Sequence, residues 1–388
     1  MNIAFVSVQD STNIRSFSGT GYYVPKSLER QGANIYYIGN LKTRPRIREK
    51  VREVYHKYLT GKKYWFNRNP DVIKNYARQV QQALDALPVE IDVLVSTSSI
   101  PLALFDSEIP VVLWCDTNFR DIIDFYPEFT NMTAETLAFG HKMEKIALER
   151  CAVAVYSSQW AAESAINYYQ IPREKVQVIT YGANIETDWD EQQVHEWVEE
   201  KSFDTCNLLF VGVDWERKGG DIALETAKRL YEHGLNTELH VLGSSPPAEI
   251  DLPDYVKVHG FVSKETLEGQ RFIHDKMKGA HFLILPTRAD CTPIVYAEFN
   301  AYGIPVLTTD VGGITSLIRE DMNGRTFPLE ARGQAYADYI LELFSRNGDY
   351  VKMAHTSYRE YRDRLNWHHS GELMMAVLEQ VAQKDLAL

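Results

Sequence analysis

The chain has 388 residues, of which 45% are hydrophobic and 24% charged, and its formal net charge is −12. This length and composition are typical of a folded protein with two domains, because one domain commonly holds roughly 100–200 residues. The acidic balance argues against duplex nucleic acid as the main partner, since phosphates are neutralised by a basic face.

No apolar run approaches the ~20 residues of a membrane-spanning helix, and no secretory or transit signal precedes the first apolar run. The longest such run, residues 109–115, contains a proline. The chain's four cysteines are far apart and form no CxxC pair, which argues against a zinc site or a disulfide framework. They are Cys115, Cys151, Cys206 and Cys291. A reducing, cytoplasmic setting is therefore predicted.

In the first half of the chain, short runs rich in β-branched and aromatic residues alternate with amphipathic stretches. The strand-like runs are residues 3–8, 35–38, 92–96, 110–114, 152–156 and 176–180. Helical patterns lie between them, at about 22–31, 133–150 and after Ser158. This alternation predicts a parallel sheet with helices on both faces.

A glycine-containing stretch follows the first strand-like run. A G-x-G-x-x-G match would need glycine at position 24, where the chain has Val24, and about ten residues separate the strand from the glycines. A dinucleotide fingerprint is therefore not predicted. Instead, Gly19, Thr20 and Gly21 are expected to form a flexible loop whose backbone can approach a ligand.

Residues 42–68 form a basic segment. They contain ten Lys and Arg and two Glu, a net charge of +8, which leaves −20 for the rest of the chain. Apolar residues recur at helical spacing from Ile47 to Leu59, and an aromatic run follows at 64–66. Three interpretations stay open: a helix on an anionic membrane surface, a cover that attracts a phosphorylated acceptor, or a helix that buries its apolar stripe in the core.

Residues 186–205 hold eight acids and one base, Lys201, and are expected to be a solvated interdomain segment. A second series of strand-like runs follows at 207–213, 238–243, 256–262, 282–286 and 305–308, with a helix at about 220–233. The prediction is an α/β protein of two doubly wound domains, 1–185 and 206–365. Ligands of such sheets bind beyond the carboxyl ends of the strands, here in a cleft between the domains.

The most informative stretch is residues 286–305. Thr292 suits an N-cap, Pro293 the first helical position and Gly303 a left-handed C-terminal position, which predicts a helix of about ten residues. Its N-terminus would be an anion site, with phosphate as the usual occupant. Asp290 and Glu298 bracket this site, although each alone is more often structural.

Arg217 and Lys218 lie on a glycine-bounded loop that leads from a strand into a helix. Two cations at a helix N-terminus are unfavourable for the helix dipole. A bound diphosphate would offset this cost, so the pair is a candidate binding site. The alternative is an exposed basic turn.

As a set, these motifs resemble the retaining nucleotide-sugar glycosyltransferases of the GT-B fold, the "group 1" or family-four type. The matching motifs are the acid-x7-Glu pattern from Asp290 to Glu298, Gly303-Ile-Pro305, Gly312-Gly313, Asn323-Gly324, the loop at Gly19 and Gly21, Gly212 with Arg217-Lys218-Gly219, and Asn366-Trp367. The resemblance implies two Rossmann-like domains facing across a cleft, with the last helix, about 366–388, packed back on the first domain.

The resemblance also implies roles for the donor side. Glu298 would hold the ribose hydroxyls, and Asp290 would contact the transferred sugar together with the amides of Cys291 and Thr292. The amides of Ile294 and Val295 would bind the diphosphate, and Lys218 and Arg217 would neutralise it. The strand end at Gly260 and Phe261 would lie beside the base.

The chain departs from the family pattern at three positions. Val213 stands where the family commonly has Arg, Asp290 where it usually has Glu, and Asp116 where many members have a His near the transferred sugar. These departures leave open which role each cation has and which sugar is transferred.

The predicted activity is that of a retaining hexosyltransferase that uses a nucleoside diphosphate sugar and a sugar, lipid-linked or small-molecule acceptor. No HExxH, DxD or clustered Cys/His metal pattern stands out in the segments predicted to line the cleft, so neither a metal nor a cofactor is expected. The alternatives are a GT-B-fold phosphorylase or sugar-nucleotide epimerase, or a catalytically silent binding protein.

Overall fold

The computed structural model describes residues 1–43 and 47–385. These residues form two units, each built on a six-stranded parallel sheet. The first unit comprises Met1–Tyr181 and the C-terminal helix that begins at Trp367, and the second comprises Gly182–Asn366. The predicted fold class, α/β with two Rossmann-like parallel sheets, is confirmed.

The first sheet has the strand order β2-β1-β3-β4-β5-β6. Its strands are β1 (Asn2–Val6), β2 (Asn34–Ile38), β3 (Val93–Ser96), β4 (Val111–Cys115), β5 (Val153–Tyr156) and β6 (Val176–Val178). The helices are α1 (Thr20–Arg30), α2 (Ile47–Tyr55), α3 (Pro70–Asp85), α4 (Phe119–Ile122), α5 (Ala134–Arg150) and α6 (Gln159–Asn167). The central strands are buried on both faces because helices cover both sides of a parallel sheet.

Local capping explains where the main helices of this unit begin. Asn69 accepts a hydrogen bond from the Asp71 amide at the start of α3, and Thr133 accepts one from the Thr136 amide at the start of α5. Such side chains satisfy amides that the first helical turn leaves without a partner.

The glycine stretch after β1 differs from the predicted loop. Gly19 has a φ of +92° and closes a short 3₁₀ turn, whereas Thr20 and Gly21 already lie in the first turn of α1. A Cβ on Gly21 would lie 2.8 Å from Ser16 Oγ. Gly21 therefore permits close packing at the start of a helix and is not part of a flexible loop.

The second sheet has the order β12-β11-β10-β7-β8-β9, the Rossmann order, which reverses between β10 and β7. Its strands are β7 (Cys206–Val211), β8 (Thr237–Leu242), β9 (Val256–Gly260), β10 (Phe282–Leu285), β11 (Val306–Thr309) and β12 (Gly324–Phe327). The helices are α7 (Glu191–Glu199), α8 (Gly220–Glu232), α9 (Leu267–Gly279), α10 (Ile294–Asn300), α11 (Gly333–Phe344) and α12 (Asn347–Asp363).

The acidic segment differs from the expected solvated linker. It lies in the second unit, and its helix α7 begins with a capping box between Asp190 and Gln193. Val194 and Val198 are fully buried in the core of that unit. Two apolar residues one turn apart are enough to anchor one face of the helix, while the acids occupy the other faces.

The last helix, α13 (Trp367–Asp385), belongs to the first unit. Trp367 is buried, stacks on Tyr23 and lies edge-on to Trp114 at a ring distance of 5.9 Å. The Ser370 hydroxyl donates to the Thr180 carbonyl over 2.8 Å. The chain therefore returns to its first unit after completing the second.

Candidate functional site

The second unit has a cluster of charged side chains where the strand order of its sheet reverses. The loop after β7 carries Arg217 and Lys218, and the loop after the neighbouring β10 carries Asp290. Lys218 Nζ donates to Asp290 Oδ2, and Arg217 Nη1 lies 3.8 Å from the same oxygen. The structure thus brings three predicted site residues together at the edge where open parallel sheets bind ligands.

Backbone contacts fix the two loops against each other. The Arg217 guanidinium donates to the Ala289 carbonyl over 2.8 Å, and the Arg217 carbonyl accepts from the Arg288 amide over 2.7 Å. Gly219 has a φ of +76°, and a Cβ there would lie 2.0 Å from the Pro286 carbonyl oxygen. Only glycine allows both this conformation and this approach.

Carboxylates offset the two cations at the entrance of α8. Lys218 pairs with Asp290, and Arg217 Nε lies 3.5 Å from Asp214 Oδ2. Asp290 is 9% exposed, so its pairing with Lys218 lies largely out of water, where ion pairs are only weakly screened. The unfavourable position of the cations at the helix dipole is therefore balanced within the protein itself.

Helix α10 starts one residue later than predicted and is shorter. Pro293, not Thr292, is the N-cap, because its extended backbone (ψ 106°) lets its carbonyl accept the first bond, from the Tyr296 amide. The helix has seven residues, and Gly303 beyond it has the expected left-handed φ of +67°. Ile294 and Val295 form the first turn, directly after the Asp290, Cys291 and Thr292 loop.

Glu298 lies on α10 with 6% exposure. Lys264, in the loop between β9 and α9, donates to both of its carboxylate oxygens over 2.8 and 2.9 Å. Sequence reasoning missed Lys264, because a single lysine in a polar loop has no pattern that links it to an acid 34 residues away. Each acid of the acid-x7-Glu pattern is thus paired with a lysine, and each lysine comes from a different loop.

The end of β9 presents an exposed ring. Gly260 has a φ of +64° and Phe261 is 73% exposed. The preceding His259 is bonded instead to His240, with 3.0 Å between its Nε2 and His240 Nδ1. Burial lowers the pKa of His240 to about 4 and also lowers the pKa of His259. Both rings are therefore neutral near pH 7, and their contact joins β8 to β9.

Asp116 lies in the first unit, directly after β4. Its neighbour Cys115 has a pKa well above the usual range, mainly because of burial, with the charges of Glu144 and Asp116 adding to the effect. Gly19 lies in the same unit, beyond the end of β1. The predicted site residues are thus divided between the two units.

Three further features bear on the predicted chemistry. Within residues 1–43 and 47–385, no group of three or more His, Cys, Asp or Glu side chains is arranged to hold a metal ion. The four cysteines all lie in this part of the chain, where they are buried and form no disulfide. In the same part of the chain, every helix is too short or too polar to cross a bilayer.

Comparison with solved structures defines the class by fold. Sucrose-phosphate synthase from Thermosynechococcus elongatus aligns with 98% of this chain and 99% of its own, at a TM-score of 0.67 and 15% identity. Anabaena HepE in complex with UDP aligns with 98% of this chain and all of its own, at a TM-score of 0.63 and 15% identity. The protein therefore shares the two-domain α/β fold of these structures.

Sequence comparison relates most of the second unit to a family of glycosyltransferases. Residues 205–346 match the profile of the family described as glycosyl transferases group 1. The amylovoran biosynthesis glycosyltransferase AmsK of Erwinia amylovora is 28% identical over 189 residues, which cover 45% of each chain. The protein thus spans about half the length of this curated relative, and the predicted similarity to group 1 glycosyltransferases is confirmed where these matches lie.

Proposed function

We propose that this protein is a hexosyltransferase that moves a sugar from a nucleoside diphosphate sugar to an acceptor with retention of configuration. The observation that carries the proposal is the cluster of Arg217, Lys218 and Asp290 at the point where the second sheet reverses its strand order. The family match over residues 205–346 supports the reaction class, and the UDP bound to HepE supports a nucleotide donor.

In this proposal the donor lies along α10. Glu298 binds the ribose hydroxyls, since a carboxylate has about four acceptor sites and Lys264 uses one on each oxygen. Phe261 and the Gly260 backbone lie beside the base. Asp290, with the amides of Cys291 and Thr292, contacts the hydroxyls of the transferred sugar.

The chemical step needs stabilisation of the departing diphosphate more than it needs a protein nucleophile. Amides of Ile294 and Val295, with Lys218 and Arg217, would surround the negative charge as it develops, and such preorganised groups are usually the largest contribution to catalysis. These groups make a metal ion unnecessary. The acceptor oxygen attacks on the face that the diphosphate leaves, and a phosphate oxygen takes its proton.

The first unit would supply the acceptor side. Asp116, after β4, would lie near the transferred sugar, and the acceptor would be a sugar, a lipid-linked sugar or a small molecule. The basic residues of segment 42–68 would attract an anionic partner on this side, either a membrane or a phosphorylated acceptor. We place the enzyme in the cytoplasm.

The test is a panel of UDP-, GDP- and ADP-sugars, assayed for thermal stabilisation and for slow hydrolysis of the donor. We expect one nucleotide class to stabilise the protein and to be hydrolysed. Stabilisation by none of them would favour a silent binding protein. Release of a sugar 1-phosphate in the presence of inorganic phosphate would favour a phosphorylase, and inversion at a sugar carbon of the donor would favour an epimerase.

A matched pair of variants locates the diphosphate site. Lys218→Ala should lower donor turnover by about 10²-fold or more, because it removes a cation from the leaving group. Lys228→Ala, on the exposed surface of α8, should leave turnover unchanged. Equal turnover in the two variants would assign the diphosphate to other residues.

A further inference from the structure

An exposed apolar surface lies on the first unit, along α2 and the π-helical turn that follows it, His56–Thr60. We call it the α2 face. Its six apolar side chains are between 51% and 83% exposed. They are Ile47, Val51, Val54, Tyr55, Tyr58 and Leu59.

The side of the same helix that faces the protein is polar. Glu49 is 3% exposed and accepts a hydrogen bond from the Tyr64 hydroxyl over 2.5 Å. Arg52 pairs with Glu135 on α5, and His56 stacks on Tyr64 at a ring distance of 5.6 Å. These three residues recur at helical spacing, so polar contacts attach the helix to the unit and turn its apolar side outward.

This arrangement contradicts the interpretation in which the basic segment buries its apolar stripe in the core. The inward positions are taken by polar side chains that already have partners. The aromatic run at 64–66 also packs inward, because Tyr64 is buried and Trp65 stacks on Phe129 at 5.1 Å. The outward apolar residues are therefore available to contact a partner outside the unit.

Basic side chains border the α2 face. At about 100° of rotation per residue, Ile47, Val51 and Val54 fall within about 60° of one another. Lys50 lies on one side of this stripe and Arg48 on the other, and both are exposed. Lys57, also exposed, lies over the Tyr58 ring at 5.5 Å. Long cationic side chains beside an apolar stripe can reach a polar boundary while the stripe enters an apolar phase.

We propose that the α2 face docks on the surface of an anionic bilayer, with its apolar stripe among the acyl chains and its cations at the headgroups. Amphipathic helices of this kind lie in the plane of the interface. The charge distribution also sets the orientation, because segment 42–68 carries +8 and the rest of the chain −20. An anionic surface therefore attracts this segment and repels the remainder of the protein.

The same observations argue against other occupants. A second copy of the chain would bring an equal positive charge to the contact, and like charges across an interface are unfavourable. A soluble phosphorylated ligand would account for the cations but not for six exposed apolar side chains. A lipid surface satisfies both features.

The experiment is flotation of the full chain with vesicles of phosphatidylcholine, with and without 30% phosphatidylglycerol, at low salt. We expect the protein to float with the anionic vesicles and to stay in solution with the neutral ones. Added inorganic phosphate at matched ionic strength should not displace it. Each basic residue near the surface is expected to contribute up to about fivefold to binding.

Two variants separate the apolar and the charged contributions. Val54→Ser with Leu59→Ser should reduce vesicle binding by 10-fold or more, and Lys50→Gln with Lys57→Gln should reduce it by a similar factor. The matched controls are Leu329→Ser, at an apolar position 48% exposed on the second unit, and Lys74→Gln, on the exposed side of α3. Both controls should float like the unaltered protein.

Three outcomes would overturn the inference. The first is no flotation of the unaltered protein at low salt, and the second is flotation that the serine variant leaves unchanged. The third is a dimer in sedimentation velocity that the serine variant abolishes, which would assign the α2 face to a second copy. The assay contains no sugar donor, so its failure would leave the proposed transfer reaction standing.

Discussion

At the scale of single residues, Gly219 joins the two loops of the donor-side cluster. Its φ of +76° costs other residues about 1–2 kcal/mol, and its Cα hydrogen occupies space next to the Pro286 carbonyl. A side chain there would push the loop after β7 away from the loop after β10. Lys218, the residue directly before Gly219, would then lose its contact with Asp290.

The variant Gly219→Ala tests this close approach. We expect its free energy of unfolding to fall by about 1–2 kcal/mol for the backbone conformation and by about 1–3 kcal/mol more for the steric overlap. Gly234→Ala is the matched control, because Gly234 has a φ of +83° but open space around its Cβ position. Urea denaturation of both variants measures the difference, and equal losses would show that the Pro286 contact is relaxed at no cost.

At the scale of elements, a half-buried lysine contacts the C-terminal end of α9. Lys201 Nζ donates to the carbonyls of Lys278 and Ala280 over 2.6 and 2.7 Å. Burial, and to a smaller extent the charge of Lys278, lower the pKa of Lys201 to about 7. Lys201, the single base of the acidic segment, therefore links the chain just after α7 to the C-terminal end of α9.

The lowered pKa of Lys201 predicts how folding stability changes with pH. Between pH 7 and about 10.5 the unfolded chain holds a proton on Lys201 that the folded chain has released, so folding stability should rise with pH across this window. Below pH 7 both states are protonated and the effect is constant. The rise is at most about 1.4 kcal/mol per pH unit.

Denaturation of the protein and of Lys201→Met at pH 7 and pH 9.5 measures this effect. The stability difference between them should shift in favour of the unaltered protein at the higher pH. Lys228→Met, at an exposed position of α8, should show no such shift. A shift of the opposite sign would mean that the two carbonyls keep Lys201 charged in the folded state.

At the scale of the whole molecule, the chain crosses between its units twice, near residue 181 and near residue 367. The second crossing places Trp367 among Tyr23, Trp114 and Tyr181 in the first unit. The core of the first unit therefore includes a segment that follows the second unit in the sequence.

Trp367→Ala should destabilise the first unit by about 3–5 kcal/mol while the second unit keeps its stability. Hydrogen–deuterium exchange resolves the two, since amides of β3 and β4 should lose protection and those of β7 and β10 should not. Leu373→Ala, at a 43% exposed position of the same helix, is the control. Loss of protection in both sheets would show that the units unfold together.

The local sequence was enough to predict the strands from β1 to β11 and some of the helices. Runs such as residues 282–286 are continuous and apolar because both faces of a parallel strand are buried, and the predicted helices that start after Thr133 and Ser158 carry their caps within three residues. Helix α3 was not predicted, although Asn69 caps it. Strand β12 had no such signal. It is a four-residue edge strand, and its Gly324 is required by the approach of the Val306 carbonyl, 2.1 Å from a Cβ placed there.

By itself, the sequence determined the α/β class, the two sheets and the identity of Arg217, Lys218, Asp290 and Glu298 as candidates, because periodicity and motif spacing are local properties. Only the tertiary structure decided their partners. Three features depend on contacts between residues distant in the chain: the pairing of Lys264 with Glu298, the contacts of Lys201 with two carbonyls of α9 and its end, and the outward turn of the α2 face. The net charge of −12 likewise gave no indication that the basic side chains of segment 42–68 border an exposed apolar stripe.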